Sequence, residues 1–123
     1  MFNLFAVNLD DHSRNWAFLM SDNGQWRPAP FYDVTFSPNL QNEHTTAYMG
    51  YGKQPPLRVV QQLAKQANFS NWKHAKEEIG RIVDAISQWP TIASELGVSK
   101  STSKIIAAQL NTALRQNKHL LES

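Results

Sequence analysis

The sequence predicts a mainly α-helical domain that carries one small β-hairpin near its N-terminus. Apolar residues recur at helical spacing through residues 57–123, which are expected to form a helical bundle. A short apolar run at 16–20 precedes an Asp-Asn-Gly turn at 22–24, so residues 16–28 are predicted to form the hairpin. The hydrophobic content of 41% and the charged content of 18% are typical of a globular chain.

The first segment, residues 1–9, is rich in large apolar side chains. We expect a buried helix end there, with a strand as the alternative. Because buried apolar residues at the start of a chain need covering, we expect an upstream segment or another subunit to cover Phe2 and Phe5.

Residues 34–56 contain prolines and glycines without periodicity, and they are predicted to form a long connecting loop. The helical half then begins with an apolar pattern over 57–67. Ser70 or Asn71 is predicted to cap the second helix, whose apolar stripe runs over 75–86.

Proline and glycine divide the rest of the helical half. Pro90 interrupts the pattern, and a short helix over 91–96 is expected to stop at Gly97. Ser99 is expected to cap a last helix. The tail at 117–123 is predicted to fray.

Charge is distributed unevenly along the chain. Residues 1–50 hold five acids and two bases, a net of −3, whereas residues 51–123 hold five acids and ten bases, a net of +5. The overall charge of +2 is too small to indicate a nucleic-acid partner. The absence of cysteine excludes disulfides and thiolate metal sites. Neither a signal peptide nor a membrane span is predicted, so we expect a cytoplasmic protein with no membrane partner.

The candidate chemistry lies in the first third of the chain. Asp10 and Asn15 stand in the spacing D-x-x-x-x-N, which is that of a protein-kinase catalytic loop. Asp33 follows the predicted hairpin, which brings it back toward Asn15. An aspartate at position 10 can orient an attacking hydroxyl, and the oxygens of Asn15 and Asp33 suit Mg²⁺. The alternative is an Asx-rich turn whose side chains cap a helix end or bind loop amides.

Longer stretches around these residues resemble a known family. N-x-D-D-H-x-x-N-W-A-F-L at 8–19 and W-R-P-A-P-F-Y-D-V at 26–34 are similar to the C-terminal lobe of HipA-type serine/threonine kinases, the toxins of bacterial toxin–antitoxin pairs. The segments 43–44 and 50–53 and the helical pattern through 89–99 are similar as well. The resemblance covers essentially the whole chain.

The resemblance implies a helical kinase-like C-lobe over 1–123, with the catalytic loop, metal site and hairpin in 1–33 and the bundle in 57–123. It implies that Asp10 is the catalytic aspartate and that Asn15 and Asp33 bind the cofactors, Mg²⁺ and ATP. His12 also matches the motif, and a role in orienting the loop is expected. The implied reaction is transfer of the γ-phosphate of ATP to a protein serine or threonine.

The chain departs from the family by lacking a glycine-rich loop and a strand with the ATP-phosphate lysine. We therefore expect a fragment or truncated relative that is inactive alone. The expected partners are a separate N-terminal kinase lobe or a HipB-like antitoxin, beside a protein substrate that the sequence does not identify.

Two other functions compete with the kinase. Residues 91–115 are similar to a helix-turn-helix, with a small Ala93 and a turn at Gly97, and such a second helix could enter the major groove of DNA. Ser103 stands where an apolar residue is usual and the positive charge is modest, so DNA contact is expected to be weak or indirect, and an ordinary helical hairpin is the alternative.

A metal hydrolase could use Asp10, His12 and His44, although no H-E-x-x-H spacing occurs. His119 is expected to be solvated on a polar helix surface. Trp16 and Trp26 are expected to be packing residues.

Overall fold

Helices dominate the computed structural model, which describes residues 1–123, and the prediction of a mainly α-helical chain with one hairpin is confirmed. No helix has the combination of length and apolar content needed to cross a membrane. The elements are α1 (Phe2–Phe5), β1 (Phe18–Met20), β2 (Trp26–Pro28), α2 (Leu57–Gln66), α3 (Trp72–Ser87), α4 (Trp89–Glu95), α5 (Lys100–Asn117) and α6 (His119–Glu122).

The core forms around the first helix, as the apolar start of the chain predicts. Leu4 and Phe5 of α1 are buried against Val60 of α2, Ile79 of α3 and Leu120 of α6. Helix α1 is only four residues long. Because so short a helix is not stable by itself, its packing between the longer helices holds it in place.

The predicted helix boundaries follow from local side-chain chemistry. The His74 amide donates to the Asn71 side chain over 2.9 Å, so Asn71 rather than Ser70 caps α3. The Thr102 amide donates to Ser99 Oγ over 3.2 Å at the start of α5. Gly97 ends α4 with a φ of +75°, in the left-handed region that glycine adopts without strain. Capping chemistry was therefore readable from the sequence.

Helix α4 starts earlier than predicted, at Trp89 instead of residue 91. Pro90 lies in its first turn, where a missing backbone N–H costs nothing because no intrahelical partner exists there. Pro90 is thus accommodated in the first turn, and Gln88 alone separates α4 from α3.

The predicted fraying of the C-terminal tail is wrong. Helix α6 packs on α2 and α3, and Leu120 has an exposed fraction of 0%. The prediction that His119 is solvated is also wrong, because its Nε2 atom lies 3.1 Å from the Pro55 carbonyl oxygen and the side chain is half-buried. The burial of Leu120 thus stabilises α6, although most residues around it are polar.

The hairpin projects from the helical body with both faces exposed. Its strands are antiparallel, with Phe18 opposite Pro28 and Met20 opposite Trp26. These four residues share one face because side chains alternate along a strand. Trp16 is a packing residue as expected, with its ring centroid 5.1 Å from that of Phe31, although it is 58% exposed. The same expectation is wrong for Trp26, which is 68% exposed.

Residues 34–56 contain no helix or strand, so the predicted loop is confirmed. The loop bonds to the first segment at two points. The Ser37 amide donates to the Val7 carbonyl over 2.9 Å, and the Thr45 amide donates to the Leu9 carbonyl over 3.0 Å. The long loop therefore fixes the position of the residues that precede the candidate site.

Candidate functional site

The candidate base lies between two buried residues on a segment without helix or strand. Leu9 and Asp11 are buried, while the Asp10 side chain between them is 66% exposed. The Leu9 amide donates to the Ser37 carbonyl over 3.1 Å, and the Leu9 carbonyl accepts from the Thr45 amide. The fold therefore holds both neighbours of Asp10 inside and leaves Asp10 in solvent.

A hydrogen bond closes the loop between the two residues of the D-x-x-x-x-N spacing. Residues Ser13–Asn15 form a single 3-10 turn, and Asn15 Nδ2 donates to the Asp10 backbone carbonyl over 3.2 Å. The donation uses the amide nitrogen of Asn15 and leaves its amide oxygen as the atom that can bind a cation. The structure therefore brings Asp10 and Asn15 together.

Two aromatic contacts bring the segment of Asp33 back to this loop after the hairpin. The Tyr32 hydroxyl donates to the Arg14 carbonyl over 2.8 Å. The rings of Trp16 and Phe31 lie with their centroids 5.1 Å apart. The predicted effect of the hairpin, which is to return Asp33 toward Asn15, is thus seen at the residues next to each of them.

Asp33 is exposed and has a backbone φ of +53°. Few residues other than glycine adopt this left-handed conformation, but aspartate and asparagine tolerate it because their short side chains bond locally. Strained backbone of this kind is often found at functional sites. The conformation restricts which residues can replace Asp33 without strain.

His12 is close to Asp10 without a hydrogen bond between them. Its Nε2 atom lies 3.9 Å from Asp10 Oδ1, beyond hydrogen-bond distance. Its Nδ1 atom is buried and has no hydrogen-bond partner. The role expected for His12, orienting the loop by hydrogen bonds, stays a prediction.

A buried, hydrogen-bonded Asp–His pair lies next to the candidate base. Asp11 Oδ2 is 2.8 Å from His44 Nδ1, and both side chains are almost fully buried. Sequence reasoning missed this role of Asp11. No periodic signal could have found it, because Asn8 is buried between Val7 and Leu9 and burial therefore does not alternate before Asp10.

The ring of Tyr48 packs edge-on against His44, with centroids 5.3 Å apart. Burial raises the pKa of the Tyr48 hydroxyl well above its usual value, and the negative charge of Asp11 raises it further. The region under the loop therefore disfavours additional negative charge.

The family model of the HipA-like C-terminal domain matches residues 1–116 of the 123 in the chain. The chain belongs to this family. The resemblance noted from the motifs is confirmed over nearly the whole sequence. No curated protein and no solved structure matches the chain.

The donor set of this HipA-like domain fits Mg²⁺ bound together with phosphates. Asn15 offers an amide oxygen and Asp33 a carboxylate, which are the hard oxygen ligands that Mg²⁺ prefers. Nowhere in the chain do three His, Cys, Asp or Glu residues come together as a group that could hold a metal ion. Mg²⁺ usually binds through one or two carboxylates plus phosphates and waters, so such a group is not required.

The metal-hydrolase alternative needed Asp10, His12 and His44 in one site. The structure pairs His44 with Asp11 below the loop instead. Because the His44 side chain is buried there, the three residues do not form a solvent-facing metal site.

The α4–α5 unit of the HipA-like domain has the turn expected of a helix-turn-helix, at Gly97. Ala93 is fully buried, and Trp89 Nε1 donates to the Ser103 carbonyl over 3.1 Å. This bond ties the two helices at the position where Ser103 replaces an apolar residue. An ordinary helical hairpin explains the same contacts.

Proposed function

We propose that this HipA-like C-terminal domain carries the base and the metal ligands of a protein kinase that transfers the γ-phosphate of ATP to a serine or threonine hydroxyl. The observation that carries the proposal is the hydrogen bond from the Asn15 amide to the Asp10 carbonyl. It holds the two residues of the D-x-x-x-x-N spacing together in one loop while the Asp10 side chain stays exposed. Asp33 supports it, since its neighbour Tyr32 bonds to the same loop. Family membership supports it independently.

The chain's own residues supply position and charge. Phosphoryl transfer needs little covalent chemistry from the protein, so orientation and electrostatics provide most of the catalysis. The Asp10 carboxylate accepts a hydrogen bond from the attacking hydroxyl and holds its oxygen toward the phosphate. Asn15 and Asp33 offer oxygens to Mg²⁺, which neutralises phosphate charge when bound. The His12 ring lies beside the Asp10 carboxylate, and we expect it to restrict the movement of that carboxylate.

The partner we propose is a nucleotide-clamping lobe that packs on the apolar hairpin face of Phe18, Met20 and Trp26. All three residues are more than half exposed. Exposed apolar patches of this kind are typical of surfaces that bind another protein unit. Kinases hold the ATP phosphates with a glycine-rich loop and a lysine on a neighbouring strand, and these 123 residues contain neither that loop nor a strand with such a lysine. Family membership also suggests a HipB-like antitoxin as a partner.

Nuclear magnetic resonance with Mn²⁺ and ATP tests the metal site, because Mn²⁺ takes similar oxygen ligands and broadens nearby signals. We expect substoichiometric Mn²⁺ to broaden the amide signals of Asn15 and Asp33 first. Asp33→Asn removes one charge and should weaken the broadening several-fold at a given Mn²⁺ concentration, while Asp22→Asn in the hairpin turn should not. Equal broadening in the two variants contradicts the proposed site.

DNA binding through residues 91–115 is the second candidate, supported by the Gly97 turn between α4 and α5. Fluorescence anisotropy with duplex DNA tests it over a salt titration. Tight binding that falls steeply with salt, and that Lys100→Ala and Lys104→Ala weaken, indicates a DNA reader. We expect weak binding that neither substitution changes.

A further inference from the structure

A three-residue stretch of the long loop makes an unusual number of hydrogen bonds to the segment that carries Asp10. We call residues His44, Thr45 and Thr46 the 44–46 clamp. Its members make five hydrogen bonds to Leu9 and Asp11, and the His44 amide also donates to the Gly52 carbonyl. They lie 33 to 36 positions away in the chain, so the contact is tertiary.

The side of the clamp that faces Leu9 is made by one residue. Both the amide and the Oγ1 of Thr45 donate to the Leu9 carbonyl, each over 3.0 Å. With the Leu9 amide already bonded to Ser37, both backbone polar groups of Leu9 are hydrogen-bonded. Backbone rotation at this position is therefore restricted on the N-terminal side of Asp10.

The side of the clamp that faces Asp11 saturates a buried carboxylate. His44 Nδ1 lies 2.8 Å from Asp11 Oδ2, and the Thr46 amide donates to Asp11 Oδ1 over 3.0 Å. The Thr46 hydroxyl donates to the Asp11 backbone carbonyl. A buried carboxylate that lost one of these donors would draw in water or turn outward, because an unpaired buried charge is costly.

We propose that His44 is a positioning residue for Asp10, acting through Asp11: the buried pair holds Asp11 inward and thereby keeps the Asp10 carboxylate outward. Asp10 lies between two buried residues whose backbones the clamp fixes, so the direction of its side chain depends on how these two neighbours are held. If Asp11 turned outward, the neighbouring Asp10 would rotate away from the solvent face. The catalytic role of this positioning rests on the proposed kinase function, whereas the positioning itself does not.

Three variants separate positioning from general stability. His44→Leu removes the donor to Asp11 Oδ2 and leaves that buried oxygen without a partner, while the Thr46 amide still donates to Oδ1. His44→Asn places an amide N–H near the position of Nδ1 and should restore the bond. His119→Leu is the matched control, since it removes one histidine contact to a carbonyl in the C-terminal part of the fold.

Amide hydrogen exchange by nuclear magnetic resonance gives the readout on the whole chain. In His44→Leu, exchange at Thr45 and Thr46 should quicken by about tenfold or more relative to Ile79 in α3, because an unsatisfied buried charge opens the clamp locally. The chemical shifts of Asp10 should move in the same variant. His44→Asn should return both toward the wild type, and His119→Leu should leave both unchanged.

Equal quickening at Thr45, Thr46 and Ile79, or Asp10 shifts unchanged in His44→Leu, would overturn the proposal. If His44→Leu does not fold, the wild type still decides: a slowly exchanging proton on His44 Nδ1 is required, and its absence overturns the pair. Mn²⁺ broadening measured on the same samples is a separate result. If wild-type Asn15 and Asp33 show no broadening while the clamp responds as expected, the kinase proposal fails and the positioning of Asp10 stands.

Discussion

The first thirty-three residues contain two apolar stretches of similar composition that the fold uses in opposite ways. Phe5 in α1 is 2% exposed at the centre of the core, whereas Phe18 in β1 is 65% exposed on the hairpin. The residue types of the two stretches are too similar to explain why one is buried and the other exposed. The difference lies in what packs against them: three helices enclose α1, while the hairpin has only its own partner strand. Buried apolar area stabilises the fold, and exposed apolar area is available for binding.

The largest expected effect compares the two phenylalanines directly. Phe5→Ala should lower the free energy of unfolding by about 3–5 kcal/mol, since it removes a buried aromatic ring and leaves a cavity. Phe18→Ala, the matched control, should change it by about 0.5 kcal/mol or less because its ring is already in water. Urea denaturation followed by circular dichroism measures both.

If Phe18→Ala lowered the free energy of unfolding by more than about 2 kcal/mol, Phe18 would be part of the cooperative core, and the contrast with Phe5 would be wrong. Should Phe5→Ala not fold, the more conservative Phe5→Leu gives the same contrast at smaller amplitude.

The second effect concerns the buried side of the site and depends on pH. The raised pKa of Tyr48 means that the folded protein holds its proton at pH values where the unfolded chain loses it. The stability from Tyr48 is fully present below the unfolded pKa of about 10 and declines as pH rises beyond it, by at most about 1.4 kcal/mol per pH unit. Tyr48→Phe should make the unfolding free energy flatter between pH 9 and 11.

Tyr32→Phe is the control for this measurement, because it removes the same hydroxyl from an exposed tyrosine. If Tyr48→Phe and Tyr32→Phe leave the same alkaline decline as in the wild type, burial of Tyr48 does not govern it.

The third effect comes from backbone strain at Asp33, an exposed residue that follows the hairpin. Asp33→Val should cost about 1–2 kcal/mol, because a β-branched residue is strained at the φ of +53° that Asp33 adopts. Asp33→Asn should cost about 0.5 kcal/mol or less, since asparagine tolerates this conformation. Thermal unfolding of the two variants separates the conformational requirement from the charge. Similar losses for both would mean that the carboxylate itself holds the fold there.

The part of the fold that short-range chemistry determines was predictable from the sequence. Asn71, Gly97 and Ser99 mark helix ends because a cap or a left-handed turn depends on one residue and its neighbours. The D-x-x-x-x-N spacing was readable for the same reason, since Asn15 bonds back to Asp10 five residues away.

Long-range packing explains what the sequence did not reveal. His44 meets Asp11 across 33 positions, and no local pattern records such a contact. The burial of Leu120 in α6 and the exposure of Trp26 on the hairpin are of the same kind. A large apolar residue is usually buried, but which one is covered depends on elements far away in the chain.

The smallest expected signal is phosphoryl transfer by the 123 residues alone. Radiolabelled ATP with Mg²⁺ and a generic protein substrate should give incorporation at background, and Asp10→Ala should not lower it, because nothing in these residues clamps the nucleotide. Incorporation that Asp10→Ala abolishes would contradict the view that the exposed hairpin awaits a partner. The site would then be active without any protein covering the hairpin. Background incorporation that rises only when a nucleotide-clamping lobe is added, and that Trp26→Ala then reduces, would instead identify the exposed apolar face as the surface that the lobe covers.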